Sequence, residues 1–155
     1  MILSRTTFTL TLFLLTSLLT GCALPSLKDR SQSEAFSQEQ TAGTRLGRAV
    51  GYEVENHSGL SGIAALQNPL DAFVARALLA EASDRSLDVQ YYIWRDDITG
   101  KLLLYSLYRA AERGVRVRLL LDDNGIAGLD DWLAALHHHD NVEVRLFNPF
   151  VIRSS

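Results

Sequence analysis

Three runs of alternating apolar residues, separated by two helical stretches, restrict this chain to few folds. Residues 87–94, 115–121 and 142–147 have the two-residue period of strands. Residues 100–113 and 129–136 carry apolar side chains at the spacing of a helix, and Gly114 follows the first of them, where a helix C-terminus favours glycine. Strands that alternate with helices pair in parallel through right-handed crossovers. We therefore predict an α/β fold in which helices cover both faces of a parallel sheet.

Another helix is predicted to begin at Asn68, because asparagine is a good N-cap and Pro69 suits the first helical position. It is expected to end near Ser83. Its apolar residues recur at helical spacing and are predicted to pack on the core: Leu70, Phe73, Val74, Ala77 and Leu78. The second strand, 115–121, ends in three consecutive leucines and is predicted to be buried on both faces there.

Polar residues follow each predicted strand, at the edge where parallel sheets bind ligands. They are Arg95, Asp96, Asp97, Asp122, Asp123, Asn124 and Asn148. The aspartate pairs 96–97 and 122–123 offer carboxylate oxygens, which are suitable ligands for Mg²⁺. Aspartates at strand ends also form turns and cap helices. We favour capping over a metal site for both pairs.

The first residues are typical of a bacterial lipoprotein signal. Arg5 precedes an apolar stretch at 8–19, and Leu19-Thr20-Gly21-Cys22 resembles a lipobox. We predict a signal peptide at 1–21 and lipidation of Cys22, which would anchor the protein to a membrane of the bacterial cell envelope. Ala23 stands where resemblance to lipoproteins places an inner-membrane retention aspartate, so the outer membrane is favoured.

Residues 22–44 are rich in serine, glutamine and charge, and we predict a disordered tether. Residues 45–66 have apolar side chains for one or two helical turns, interrupted by Gly51, Gly59 and Gly62, and are predicted to be an irregular lead-in. The globular part is expected at 67–155. The formal net charge of −3 shows no basic excess, which argues against nucleic acid as a partner.

Three consecutive histidines, His137, His138 and His139, superficially suggest a metal site. Consecutive helical residues point about 100° apart, so these imidazoles cannot converge on one ion. We predict a solvated helix end, where protonated histidines suit the helix dipole. His57 has no partner nearby in the sequence and is given no role. No metal or cofactor is expected.

Three blocks carry a family resemblance: LDVQYYIWRDDITGKLLLYSLYRAAERGVRVRLLLDDNG, then GLDDWLAAL, then VEVRLFNPF. In this order they resemble the N-terminal portion of the phospholipase D superfamily, most closely its cardiolipin synthase C-like branch. The similarity runs over residues 60–150. It implies a layered α/β/α domain around a mixed sheet, of which 67–155 would be an incomplete part. It also implies phospholipid substrates, of phosphatidylglycerol or phosphatidylethanolamine type, for the full-length protein.

The resemblance implies catalysis by two copies of H-x-K-x4-D, in which histidines attack phosphorus and transfer protons while lysines neutralise charge. Neither copy is present, because the only lysines are Lys28 and Lys101 and neither lies two residues after a histidine. The first copy would lie a few tens of residues beyond Phe150. We therefore expect no catalytic residue in this chain, which resembles a fragment and is predicted to be inactive alone.

Two functions remain open at this point. The first is the N-terminal scaffold of a membrane-tethered phospholipase D-type phosphatidyl transferase or phosphodiesterase, active in cardiolipin synthesis. The alternative is a noncatalytic envelope lipoprotein that binds a lipid headgroup or a protein.

The first strand has a polar second face that carries Gln90, Tyr92 and Trp94. For Gln90, support of a phosphate pocket and a sheet face covered by a helix are equally open, whereas for Tyr92 we favour the covered face. Further strands are implied beyond Ser155, so the sheet should have an uncovered edge, at 115–121 if the missing neighbour lies there. We expect residues 45–155 alone to be aggregated or molten.

Overall fold

The computed structural model describes residues 32–150, which form five α-helices and three strands. In chain order these are α1 (Gln38–Thr41), α2 (Arg45–Asn56), α3 (Pro69–Ala82), β1 (Ser86–Tyr91), α4 (Ile98–Glu112), β2 (Arg116–Asp122), α5 (Asp130–His137) and β3 (Val142–Phe147). A 3₁₀ turn, Asp123–Gly125, follows β2. No helix within 32–150 combines the length and apolarity needed to cross a membrane. The predicted signal peptide and Cys22 lie outside the described residues.

The three strands form one sheet in the order β1-β2-β3, and both neighbouring pairs are parallel. Leu119 of β2 lies opposite Val89 on one side and Val144 on the other. The connection from β1 to β2 contains α4, and the connection from β2 to β3 contains α5. The predicted α/β class and its parallel strands are therefore confirmed.

Both connecting helices pack on the same face of the sheet. Val117, Leu119 and Leu121 are at most 1% exposed and share one core cluster with Leu107 of α4 and Leu133 of α5. The other face carries half-buried or exposed side chains: Asp88, Gln90, Arg118, Leu120, Glu143 and Arg145. We call it the open face. The prediction of helices on both faces is wrong for residues 32–150, because right-handed crossovers between strands that follow one another in sheet order return on one side.

Central placement of β2 corrects two further expectations. The strand has a neighbour on each side, so it does not form the uncovered edge considered for 115–121; β1 and β3 are the edges of the described sheet. Leu120 is only half-buried, because it points to the open face, whereas Leu119 and Leu121 face the helices. The predicted burial of both faces at the end of this strand is therefore wrong.

Helix α3 begins and ends as predicted, with Asn68 as its N-cap and Ser83 as its C-cap. Phe73 of the predicted stripe packs against the core, but much of that stripe is turned away from it. Three residues predicted to pack inside are 67%, 44% and 61% exposed: Leu70, Val74 and Leu78. The buried side includes Ala80, whose carbonyl accepts a hydrogen bond from Arg113 at the end of α4.

Residues 45–66, predicted to be irregular, contain the twelve-residue helix α2, which continues through Gly51. Thr44 caps its N-terminus by accepting a hydrogen bond from the Gly47 N–H at 3.0 Å. The Arg45 side chain then joins this helix to Asp84, two residues after the end of α3, with a nitrogen–oxygen distance of 2.7 Å. Capping and this ion pair compensate for an interior glycine, which costs about 1 kcal/mol.

Candidate functional site at the strand ends

The chain segments that follow β1 and β2 are hydrogen-bonded to each other. The Trp94 backbone N–H donates to the Gly125 carbonyl at 2.9 Å, and the Trp94 indole N–H donates to the Gly100 carbonyl at 3.3 Å. The indole is buried and packs edge-on against Tyr91, with ring centroids 4.8 Å apart. The prediction that Trp94 lies on the polar face of the first strand is therefore wrong. The strand β1 ends at Tyr91, and the chain then turns inward.

Gly125 lies so close to the segment after β1 that it has no room for a side chain. A Cβ there would lie 2.2 Å from the Tyr92 carbonyl oxygen and 2.9 Å from the Ile93 Cα. Gly100 is similarly tight, since its Cβ would lie 2.1 Å from the Arg95 carbonyl oxygen. These glycines allow the strand-end segments to touch.

Two of the four aspartates at the strand ends act as caps, as predicted. Asp97 accepts hydrogen bonds from the Gly100 N–H at 2.8 Å and the Thr99 hydroxyl at 2.7 Å, and thereby caps α4. These bonds, chiefly the one from Gly100, lower the pKa of Asp97. Asp122 accepts from the Asn124 N–H at 2.9 Å and caps the 3₁₀ turn. Both carboxylates accept hydrogen bonds from backbone N–H groups two or three residues later.

Asp123 connects the end of β2 to the segment after β3. It is 7% exposed and accepts a hydrogen bond from the Phe150 N–H at 2.6 Å. Asn148, which has a positive φ of 50°, lies with its side-chain amide 3.5 Å from the Asp122 carboxylate. All three strand ends are therefore joined at one edge of the sheet.

Asp96 lies beside an open cleft that sequence reasoning missed. Its carboxylate is 3.0 Å from the Lys101 ammonium, which lies 5.6 Å from the centre of the Trp132 ring. The cleft has a volume of about 540 Å³, and its remaining walls are Asp97, Ile98, Leu102 and Tyr105. The i, i+4, i+7 spacing of Ile98, Leu102 and Tyr105 was a signal for this second apolar stripe on α4.

The described residues contain no group of three or more histidine, cysteine, aspartate or glutamate side chains arranged to hold a metal ion. His57 contacts Glu53 one helical turn earlier, with 3.4 Å between His57 Nδ1 and a carboxylate oxygen. For His139 the prediction of a solvated helix end is wrong. Its Nε2 lies 2.9 Å from the Glu112 carboxylate, and its Nδ1 accepts the Asn141 N–H.

Comparison with known proteins bears on the family resemblance. No family model matches the chain. It is 56% identical to cardiolipin synthase C of Escherichia coli strain K12 over 109 residues, which are 70% of this chain and 23% of that protein. The predicted resemblance to the N-terminal portion of the cardiolipin synthase C-like branch of the phospholipase D superfamily is confirmed.

Two other matches differ in strength. An uncharacterized protein of Helicobacter pylori strain 26695 is 35% identical over 111 residues, covering 72% of this chain and 22% of that protein. The chain thus spans less than a quarter of the length of these two relatives. The solved structure of TrmBL2, an archaeal chromatin protein, covers 68% of this chain and 42% of that chain, with a TM-score of 0.45 and 16% identity. That likeness carries no argument.

In this cardiolipin synthase C-like chain, Gln90 is exposed on the open face, one residue before β1 ends. It lies opposite Leu120, which in turn lies opposite Arg145. Tyr92 follows the end of the strand and is 66% exposed. A role for Gln90 in a phosphate pocket stays a prediction.

Proposed function

We propose that this chain is the N-terminal scaffold of a membrane-tethered phospholipase D-type phosphatidyl transferase that takes part in cardiolipin synthesis. The observation that carries the proposal is its 56% identity over 109 residues to cardiolipin synthase C of E. coli. The proposed substrates are phospholipids of phosphatidylglycerol or phosphatidylethanolamine type. No histidine here is followed two residues later by lysine, so the reacting groups would come from other parts of a longer protein.

The proposed task of the scaffold is to hold the strand-end segments in one position beside those reacting groups. Three contacts support this role: Trp94 to Gly125, Asp123 to Phe150, and Asp97 to the first turn of α4. Each involves backbone atoms, so the segments are held by main-chain geometry as well as by side-chain packing. A phosphate pocket built on such a support would keep its donors at fixed spacing, which catalysis requires.

Gln90 is proposed as a positioning residue for that pocket. Its amide is a hydrogen-bond donor on the face that α4 and α5 leave uncovered, close to the C-terminal edge of the sheet. An amide can orient a reacting group or a phosphate oxygen without changing its own charge with pH.

Membrane attachment is proposed to come from Cys22. The lipobox-like Leu19-Thr20-Gly21-Cys22 would receive a diacylglyceryl group, and cleavage would leave several acyl chains on the new N-terminus. Residues 23–44 would then link the anchor to α2. The proposed location is the bacterial envelope, with the outer membrane favoured.

A chimera tests the catalytic proposal. The matching segment of E. coli cardiolipin synthase C is replaced by the 109-residue segment of this chain, and cardiolipin is measured in cells that lack other cardiolipin synthases. We expect the chimera to restore cardiolipin, and we expect purified residues 23–155 alone to show no phosphatidyl transfer or hydrolysis at any pH. A chimera that accumulates in folded form without making cardiolipin would refute the scaffold role and favour a noncatalytic envelope lipoprotein.

Two variants of the chimera test the positioning role. Gln90→Ala is expected to lower kcat with an unchanged amount of folded enzyme. The matched control, Gln67→Ala, changes an exposed glutamine before α3 and should leave kcat unchanged. Equal kcat in the two variants would remove Gln90 from the pocket and leave the scaffold role intact.

A further inference from the structure

Two backbone N–H groups on the outer side of β3 donate to acceptors from the histidine run. The Val117 N–H of β2 donates to the Asn141 carbonyl at 2.8 Å. Because successive residues of a strand turn their backbone groups to opposite sides, Val142 and Val144 direct their N–H groups away from β2. The Val142 N–H donates to the His139 carbonyl at 2.9 Å, and the Val144 N–H donates to the His137 imidazole Nδ1 at 3.1 Å.

The contact at Val144 exists only for one charge state of His137. An imidazole nitrogen accepts a hydrogen bond only when it carries no proton. Protonation of Nδ1 would place two N–H donors against each other, so the ring would have to turn away from the strand. Histidine is the side chain that ordinarily changes charge between pH 5 and 8.

We propose that His137 is a pH-sensitive cover for the edge of the sheet. At neutral pH its Nδ1 occupies the Val144 N–H. In mild acid the imidazolium leaves that position, and the N–H becomes available to water or to another strand. An edge N–H without an acceptor is a starting point for strand addition, so acid adds the Val144 N–H to the groups that this edge offers.

His139 is the fixed part of this arrangement. Its Nδ1 accepts the Asn141 N–H at 3.1 Å, and its Nε2 lies 2.9 Å from the Glu112 carboxylate of α4. Protonation would strengthen the contact with Glu112 and remove the one with Asn141, so the two effects oppose each other. The ring is also packed edge-on against Tyr108, with centroids 5.7 Å apart. His137 is therefore the side that responds to pH.

The other charged groups near the cover do not reproduce this response. On β3, the Glu143 and Arg145 side chains flank Val144, and they are paired with each other at 2.5 Å on the open face. The remaining neighbours are carboxylates, Asp140 in the connection between α5 and β3 and Glu112 at the end of α4. Of the side chains in this region, histidine is the type that ordinarily changes charge between pH 5 and 8.

Amide hydrogen exchange at Val144 tests the proposal in the full 155-residue chain in detergent micelles. After correction for the intrinsic pH dependence of exchange, we expect the protection of this amide to fall about fivefold or more between pH 7.5 and pH 5, the loss of one hydrogen bond. Protection of the Val117 and Leu119 amides of β2 should not change. Three variants separate the causes: His137→Phe lacks the acceptor, His137→Asn has an acceptor that does not titrate, and His138→Phe is the matched control.

In His137→Phe, Val144 should be poorly protected at both pH values, whereas in His137→Asn it should be protected at both. His138→Phe should behave like the unchanged chain. The proposal is overturned if Val144 is unprotected at pH 7.5, if its protection is equal at the two pH values, or if it falls equally in His137→Asn. If the pH dependence of Val144 protection were lost only in His138→Phe, the responding residue would be His138, and the proposal would be overturned as well.

Discussion

Arg118 of β2 binds Asp88 of β1 in a bidentate ion pair on the open face of the sheet, with two guanidinium nitrogens each 2.5 Å from a carboxylate oxygen. This bidentate contact lowers the pKa of Asp88 and raises the pKa of Arg118. It lies on the face opposite α4 and α5, where it joins the edge strand β1 to the central strand β2.

Replacing Asp88 with Asn should lower stability in a pH-dependent way. Folding lowers the pKa of Asp88, so the pair adds stability above the unfolded carboxyl's value of about 3.9 and loses it as pH falls through the folded value. Asp88 is half exposed, and solvent screening limits the expected loss at pH 7 to about 1 kcal/mol or less. Urea unfolding at pH 7 and pH 3, followed by tryptophan fluorescence, measures the difference.

The matched control for this experiment is Glu55→Gln, which removes a carboxylate from the exposed surface of α2. It should change the urea midpoint little at either pH. If Asp88→Asn loses as much stability at pH 3 as at pH 7, the effect does not come from the ion pair.

Replacing Gly125 with Ala should disrupt the joint between the strand ends. The added Cβ would lie 2.2 Å from the Tyr92 carbonyl oxygen, so the 3₁₀ turn must move away from the segment after β1. We expect a loss of about 1–3 kcal/mol in stability, as for overpacking elsewhere, and a red shift of fluorescence as Trp94 becomes exposed. Gly51→Ala is the control, because nothing lies within 4 Å of a Cβ there; as a change inside a helix, it should stabilise by about 0.5–1 kcal/mol. Equal effects of the two substitutions would contradict the close approach at Gly125.

The outward stripe of α3 should make residues 45–155, expressed alone, bind a hydrophobic dye and self-associate. Leu78, the last residue of that stripe, is 61% exposed, whereas Leu107 of α4 is 2% exposed. Leu78→Gln should therefore reduce dye binding and association with a stability change of about 0.5 kcal/mol or less. Leu107→Ala should instead cost about 2–5 kcal/mol and increase dye binding. Dye fluorescence and sedimentation velocity distinguish the two outcomes, and undiminished dye binding in Leu78→Gln would show that the stripe is not the surface responsible.

Lipidation of Cys22 predicts that the mature protein partitions into detergent and carries label from a fatty-acid precursor. Cys22→Ser should abolish the label, because the serine hydroxyl replaces the thiol that would receive the diacylglyceryl group. Ser26→Ala, a nearby change that keeps the cysteine, should label normally. Label retained in Cys22→Ser would contradict the anchor.

Much of the local structure was predictable because its causes lie within a few residues. Asn68 and Pro69 start α3, Asp97 caps α4, and β3 begins and ends where the alternation begins and ends. The long helix α2 was not predicted, because Gly51 is a breaker by propensity, and the ion pair from Arg45 to Asp84 bridges residues far apart in the sequence. The histidine contacts were missed for the same reason, since Val144 and Glu112 reach them only after the chain has folded.

The sequence by itself determined the order of the strands and of the helices from α3 onward, the parallel α/β class, several caps and the family resemblance, because periodicity, capping signals and family motifs depend on neighbouring residues. Only the tertiary structure decided which faces are covered. The same alternation in β2 is compatible with one or two helical layers, and the Leu70, Val74 and Leu78 stripe has the same spacing whether it faces the core or the solvent. Burial depends on where the crossovers return and on which helix faces meet, and these are properties of the assembled fold.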